Sequence, residues 1–234
     1  IESNLADNEE ISGYLELNDA LNKDERIKIN ASRLEGSISL KGLKIDDLTL
    51  KNYKETLNSD SEYVTLFKPS STKGGYFSNF GWINGSSNKN LDLPNDKTIW
   101  KTDSKEITGN NSAIFTWTNN QGIQFIQDIT IDENYMFKVK QKVINNSDND
   151  ISLVPVAKIS RTDTPETEKF FISHEGPIGV IENVLEELDY KDLKKNIGPI
   201  EYNSKGGWFG FGEKYWLATL IPDQNTNVIA RYQF

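Results

Sequence analysis

The chain of 234 residues carries 26 basic and 35 acidic side chains, one histidine and no cysteine, for a formal charge of -9. That balance, with no basic block in the sequence, argues against nucleic acid and anionic lipid as primary partners, and the missing thiols remove disulfides, thiolate metal sites and thiol nucleophiles together. No apolar run approaches the ~20 residues of a membrane helix, while a chain of this length buries roughly 70% of its unfolded surface on folding, so a large core is within reach.

Residues 1–25 are acidic and Asn-rich, with Leu15, Leu17 and Leu21 the strong hydrophobes after Ile11; they read as a linker with one short helix. From Arg26 the period is two. Ile27, Ile29 and Ala31 point one way and Lys28, Asn30 and Ser32 the other, as a half-buried strand requires, and "GSISLKG" and "IDDLTLKNY" repeat the pattern. Residues 26–234 are expected to form a single β-domain. The final "VIARYQF" alternates like a strand and has no polar tail, so the domain is expected to be truncated at its C-terminal end and the chain to be an excerpt of a longer polypeptide.

The clearest pattern lies in residues 112–161. Ala113, Phe115 and Trp117 share a face, then Ile123, Phe125, Ile129 and Ile131, then Tyr135, Phe137, Val139 and Val143, while Lys138, Lys140 and Lys142 mark the wet side. The breaks "NNQG", "DEN" and "NNSDND" are turn chemistry, which predicts consecutive antiparallel strands with Trp117, Phe125 and Phe137 in one core. A further strand at "ISLVPVAKIS" has Val154 and Val156 apolar on its second face and is expected to be covered on both sides, hence two stacked sheets. In "NVLEELDYKDLKKN" a short strand followed by one helical turn fits Asp189 and Tyr190. The predicted class is an all-β sandwich of two stacked, mainly antiparallel sheets with little helix.

Candidate chemistry is sparse. His174 stands beside Glu175, but no second histidine and no Gly-x-Ser-x-Gly elbow accompanies it, so a structural role beside the Gly-Pro turn is expected. The pairs Asp46–Asp47 and Glu186–Glu187 could supply glycosidase-type carboxylates and read instead as solvated strand ends. "NNSDND" lacks the Gly and distal Glu of a calcium loop. No cofactor and no metal site is expected. "SKGGWFGFGEKYWLATLIP", residues 204–222, lacks the order of a phosphate loop and a following helix. What remains is a Gly-Gly turn that lets backbone pass close to something, followed by Trp208, Phe209, Phe211, Tyr215 and Trp216, a density that belongs to sandwich interior with some exposure along a cleft.

At these residues the chain resembles a known family, the first periplasmic domain of the YidC membrane protein insertases of Gram-negative bacteria. The resemblance rests on "YNSKGGWFGFGEKYWLATLIPD", with Ser204, Lys205, Gly206, Gly207 and Trp208 as its turn signature, and on "GSISLKGLKIDDLTLKNYKET", "YFSNFGW", "RTDTPETEKFFISHEGPIGVI" and "LDYKDLKK" in the same order. It implies a β-supersandwich similar to galactose mutarotase, held in the periplasm by an inner-membrane protein whose insertion chemistry lies in its transmembrane portion. It also implies an accessory, non-enzymatic role: contact with Sec translocon components and nascent membrane proteins, from a domain that is monomeric when isolated. Because this fold class often binds sugar, and the chain offers Trp82, Trp100, Trp117, Trp208 and Trp216 as stacking surfaces, a carbohydrate-binding or mutarotase-like protein is the alternative. One histidine leaves the mutarotase constellation unfilled, but sugar binding without catalysis stays open. For either partner the stretches Phe77, Phe80, Trp82 and Trp208, Phe209, Phe211 are the candidate contact surface.

Overall fold

The alternation that begins at Arg26 becomes strand after strand because each run has one apolar parity to bury and turn residues at its ends. The computed structural model describes residues 13–85, 91–165 and 174–234. Among them, α1 (Leu17–Leu21) is a single short turn of helix ahead of the first strand. The first half of the chain supplies β1 (Arg26–Asn30), β2 (Leu34–Ser39), β3 (Lys44–Lys54), β4 (Tyr63–Phe67), β5 (Tyr76–Asn84) and β6 (Glu106–Ile107). Next come β7 (Ser112–Thr118), β8 (Ile123–Ile131), β9 (Phe137–Asn145) and β10 (Leu153–Arg161). The last part holds β11 (Gly176–Ile181), β12 (Val184–Glu187), α2 (Tyr190–Lys195), β13 (Ile200–Lys205), β14 (Trp208–Gly212), β15 (Leu217–Leu220) and β16 (Asn227–Tyr232). The strand-then-helical-turn reading of "NVLEELDYKDLKKN" is realised as β12 and α2.

The fold is the predicted all-β sandwich, with more sheets than two. A seven-stranded sheet runs β10-β5-β3-β2-β1-β6, with β4 sharing the edge of the long β3; its ladders are antiparallel apart from the parallel β1–β6 pair. A three-stranded sheet β7-β8-β9 stacks over it. Ile29, Ile38 and Ile45 from one sheet and Phe115, Ile123, Phe125 and Ile129 from the other belong to one buried cluster, each at most 3% exposed. Trp117 and Phe137 are half-buried against the same cluster, so the three aromatics assigned to a shared core do meet there, with Phe125 at its centre and the other two at its margin. A four-stranded sheet β12-β11-β14-β15 and a two-stranded ribbon β13-β16 complete the chain. They surround a small second cluster, Ile181, Leu193 and Tyr232.

Two expectations for residues 112–161 need correction. Strands β7, β8 and β9 pair in sequence as predicted, but β10 does not add to β9: it crosses to the other sheet and pairs antiparallel with β5 from Leu153↔Asn84 to Arg161↔Tyr76. Nor is β10 covered on both sides. Val154 is 47% and Val156 37% exposed, and Ile83, opposite Val154 on the inner strand β5, is 50% exposed, so among the described residues nothing covers this face of the sheet here; the edge position of β10 tolerates Pro155 and its missing backbone donor. Asp46 corrects the reading of the acidic pairs. It lies inside β3, 5% exposed, paired with Arg26, while Asp47 accepts a hydrogen bond from the Ser37 hydroxyl at 2.6 Å. Burial raises the Asp46 carboxyl above its usual range and the Arg26 charge opposes that rise; the pair pins β1 to β3 across β2 and is no solvated end.

Candidate functional site

The first candidate stretch lies on β5. Successive β5 residues alternate between faces, so Tyr76, Phe80 and Trp82 turn to the main cluster, while Phe77 turns to the opposite face, 8% exposed, with the Lys44 ammonium 5.2 Å from its ring centre. Trp82 is 7% exposed and packs on Trp100 at 6.4 Å and on Phe125 at 5.1 Å between ring centres. Its remaining surface forms the floor of a cavity of about 350 Å³, walled by Gln141, Val143 and Asn145 of β9, by Ile151, and by Leu153 and Pro155 of β10. This cavity is the mouth of the sandwich. It opens where the chain leaves β9 for β10 and the two strands diverge onto different sheets.

Two glutamines hold the mouth at fixed width. Gln127 donates to the Phe80 carbonyl at 2.8 Å and Gln141 to the Gly81 carbonyl at 2.6 Å, so β8 and β9 are tied by side-chain amides to the backbone of β5 in the opposite sheet. Gln127 is wholly buried and its Oε1 has no hydrogen-bond partner among the described residues. A buried amide left half satisfied costs about 1–3 kcal/mol. Sequence reading missed both residues, although the signal was present: each sits on the apolar parity of its strand, Gln127 between Phe125 and Ile129, Gln141 between Val139 and Val143.

The second stretch sits at a junction of three turns. Gly206 and Gly207 adopt φ of 66° and 84°, and a Cβ on Gly207 would lie 2.1 Å from the Val180 carbonyl oxygen, so the turn is glycine by necessity. Ser204 is buried and its hydroxyl accepts from the Glu182 amide at 3.1 Å; the Glu182 carboxylate accepts from the Lys205 amide at 2.8 Å. The Gln224 side chain accepts from the Gly207 amide at 3.1 Å and donates to the Gly207 and Pro222 carbonyls at 3.0 and 2.8 Å. A polar hollow of about 480 Å³ lies among these turns, with Trp208 on its wall. The aromatics that follow divide between the two clusters: Phe209 packs on the second and Phe211 and Trp216 on the main one, although Phe209 and Phe211 share one parity of β14, while Tyr215 is 74% exposed. The signature is thus first a device of the fold.

Between the two stretches a clasp joins the sheets. Arg161, at the end of β10, pairs with Glu213, lies 4.1 Å from the centre of the Tyr76 ring and donates to the Tyr190 hydroxyl at 3.5 Å; Tyr190 in turn stacks on Phe211 at 6.3 Å. Burial opposes the Arg161 charge, but Glu213 beside it and the two tyrosine hydroxyls hold its pKa above the ordinary value. Burial likewise pushes the Tyr76 hydroxyl upward.

Other sequence candidates take structural places. His174 is half-buried and donates from Nε2 to the Pro177 carbonyl at 3.0 Å, holding the strand entry at the Gly-Pro turn. Asn145, Ser147 and Asn149 bond one another in the β9–β10 turn. Among the described residues no three His, Asp or Glu side chains converge as a metal ion would need, and no helix is long and apolar enough to cross a membrane. Part of the "RTDTPETEKFFISHEGPIGVI" block, residues 166–173, lies outside the described residues.

A family model of the YidC periplasmic domain matches residues 26–233. Among curated relatives, the membrane protein insertase YidC of Rickettsia bellii is 41% identical over 209 residues, covering 89% of this chain and 37% of that protein. The YidC of Rickettsia felis is 40% identical over 210 residues, 90% of this chain and 37% of the relative, and that of Rickettsia canadensis 39% identical over 213 residues, 91% and 38%. The chain therefore spans little more than a third of the length of the relatives it matches, and none of these matches favours the carbohydrate reading.

Proposed function

The chain belongs to the family of YidC periplasmic domains, and from that membership we propose that it is the accessory, non-catalytic part of a membrane-anchored insertase, meeting extended apolar segments of nascent membrane proteins or a subunit of the Sec translocon. Family membership places the chain in the periplasm. The observation that carries the contact reading is the mouth of the sandwich: Trp82, Val143, Ile151, Leu153 and Pro155 present apolar surface beside the free edge of β10. An edge strand offers unpaired backbone groups to any extended segment, with little demand on its sequence. A domain that meets many clients needs that tolerance. Trp208, Phe209 and Phe211, half-buried on β14, form the second contact candidate.

The test is an NMR titration of the chain with an extended apolar peptide at low and high salt. Shifts at Trp82, Val143 and Leu153 that persist in salt are expected, since apolar burial is little screened. Shifts confined to acidic loops and erased by salt refute the reading. Absence of enzymatic activity is part of the same proposal, and a His174→Ala variant that folds but fails to complement an insertase-deficient strain would overturn it.

A further inference from the structure

The outer face of the three-stranded sheet has a composition unlike the rest of this acidic chain. Residues of β9 that turn away from the core are Lys138, Lys140, Lys142 and Ile144; the lysines are exposed and Ile144 half-buried. Register sets them in rows. Lys142 stands opposite Ile126 of β8, Ile126 opposite Thr116 of β7, and Thr116 is bridged to Lys101. Lys140 stands opposite Asp128, and Asp128 opposite Ile114, which is 51% exposed. Cross-strand partners point to the same face, so four lysines and three isoleucines share one surface with a single carboxylate, Asp128. The β9 lysines repeat every two residues, roughly 7 Å apart, along the strand.

We propose that this face docks on an anionic phospholipid surface, with the lysines on headgroup phosphates and the isoleucines at the boundary of the acyl region. Charge complementarity selects the partner, and the interleaving refines it. Lysines set among aliphatic side chains, with flexible stems that let each ammonium reach sideways, suit an interface where one side of the contact is wet and the other is not. The chain's overall charge of -9 does not veto the contact. Exposed charges beyond about 8 Å are largely screened at physiological ionic strength, so a bilayer feels the face presented to it. The contact orients the domain and leaves the mouth at Trp82 free for its own partner. The proposal rests on the insertase reading for one premise, that a bilayer lies within reach.

The experiment is co-sedimentation of the chain with phosphatidylcholine vesicles, with and without phosphatidylglycerol, at low and high salt. Binding is expected on the anionic vesicles alone and is erased by salt. Replacing Lys138, Lys140 and Lys142 together by Gln lowers the partition coefficient on the order of 100-fold, about fivefold per lysine. The matched control replaces Lys191, Lys194 and Lys195 of α2, which changes net charge equally and leaves binding intact. Equal binding to neutral vesicles, an unaffected β9 variant or an equal loss in the control overturns the proposal, as does capture by polyglutamate with no vesicle binding. The peptide titration is read separately. Its failure with vesicle binding intact rejects the mouth and keeps the docking face, and the reverse result does the opposite.

Discussion

The main sandwich and the smaller C-terminal unit are built from the same kind of strand and held by different forces. Between the seven-stranded and three-stranded sheets a continuous apolar cluster runs from Ile27 to Ile131, and of the C-terminal unit it takes in Ala218, with Phe211 and Trp216 packed against it. Among the described residues around β11–β16, Ile181, Leu193 and Tyr232 form a small separate buried cluster, and much of the fixing is polar: the Arg161–Glu213 clasp, the Gln224 and Glu182 side chains on the Gly-Gly turn, and the Arg231–Glu201 pair at the surface. Apolar burial is non-directional and cooperative, whereas a few directed bonds can fail one at a time. The C-terminal unit is therefore expected to open first, in the range of sub-global openings that precede full unfolding.

The strongest break of the comparison is Phe125→Ala, at the centre of the main cluster. A loss of ~3–5 kcal/mol is expected in denaturant melts, felt by the whole molecule; a loss under about 1 kcal/mol shows that the two sheets do not share a core. Gly207→Ala comes next. It sets a Cβ against the Val180 carbonyl at a positive φ, and about 2–3 kcal/mol is expected, with amide exchange quickened in β11–β16 and unchanged in β7–β9. Glu213→Gln leaves Arg161 at the end of β10 partly buried without its countercharge and is expected to cost about 2 kcal/mol, loosening the join of the C-terminal unit to β10 and quickening exchange in β11–β16 more than in β7–β9. Uniform loss of protection in either variant would show one cooperative unit in place of two.

The smallest effect is one of pH. Burial pushes the Tyr232 hydroxyl, which donates to the Ile178 carbonyl at 3.1 Å, up to about 12, against about 10 for an unfolded tyrosine. A raised folded-state pKa means that the protonated hydroxyl stabilises the fold fully below pH ~10, and that this contribution is lost as pH rises toward 12. Stability of the C-terminal unit should fall across that window, and Tyr232→Phe should flatten the fall. An unchanged slope would remove Tyr232 from the account.

How much of this was legible differs by element. Strands β1, β7, β8 and β9 were readable because their cue is local: parity shows in the residues themselves, and "NNQG" and "DEN" announce the turns. The glycine turn at 206–207 was readable for the same reason. The mouth was legible only in its aromatic floor, Trp82. The two glutamines that tie it to β5 were not, because Gln127 and Gln141 look like polar interruptions until β5 lies opposite them. Val154 and Val156 misled, since an apolar residue on a second face looks identical in a covered strand and at an exposed edge.

By itself, then, the sequence determined the all-β class, the faces of the hairpin strands and the glycine turn at 206–207. Tertiary structure alone decided that β10 leaves its neighbour for β5, that Arg161 meets Glu213 fifty-two residues away, and that Lys101 joins the lysines of β9 on one face. The physical reason is that alternation and turn chemistry are written within a few residues, while pairing partners are chosen by burial across the whole chain.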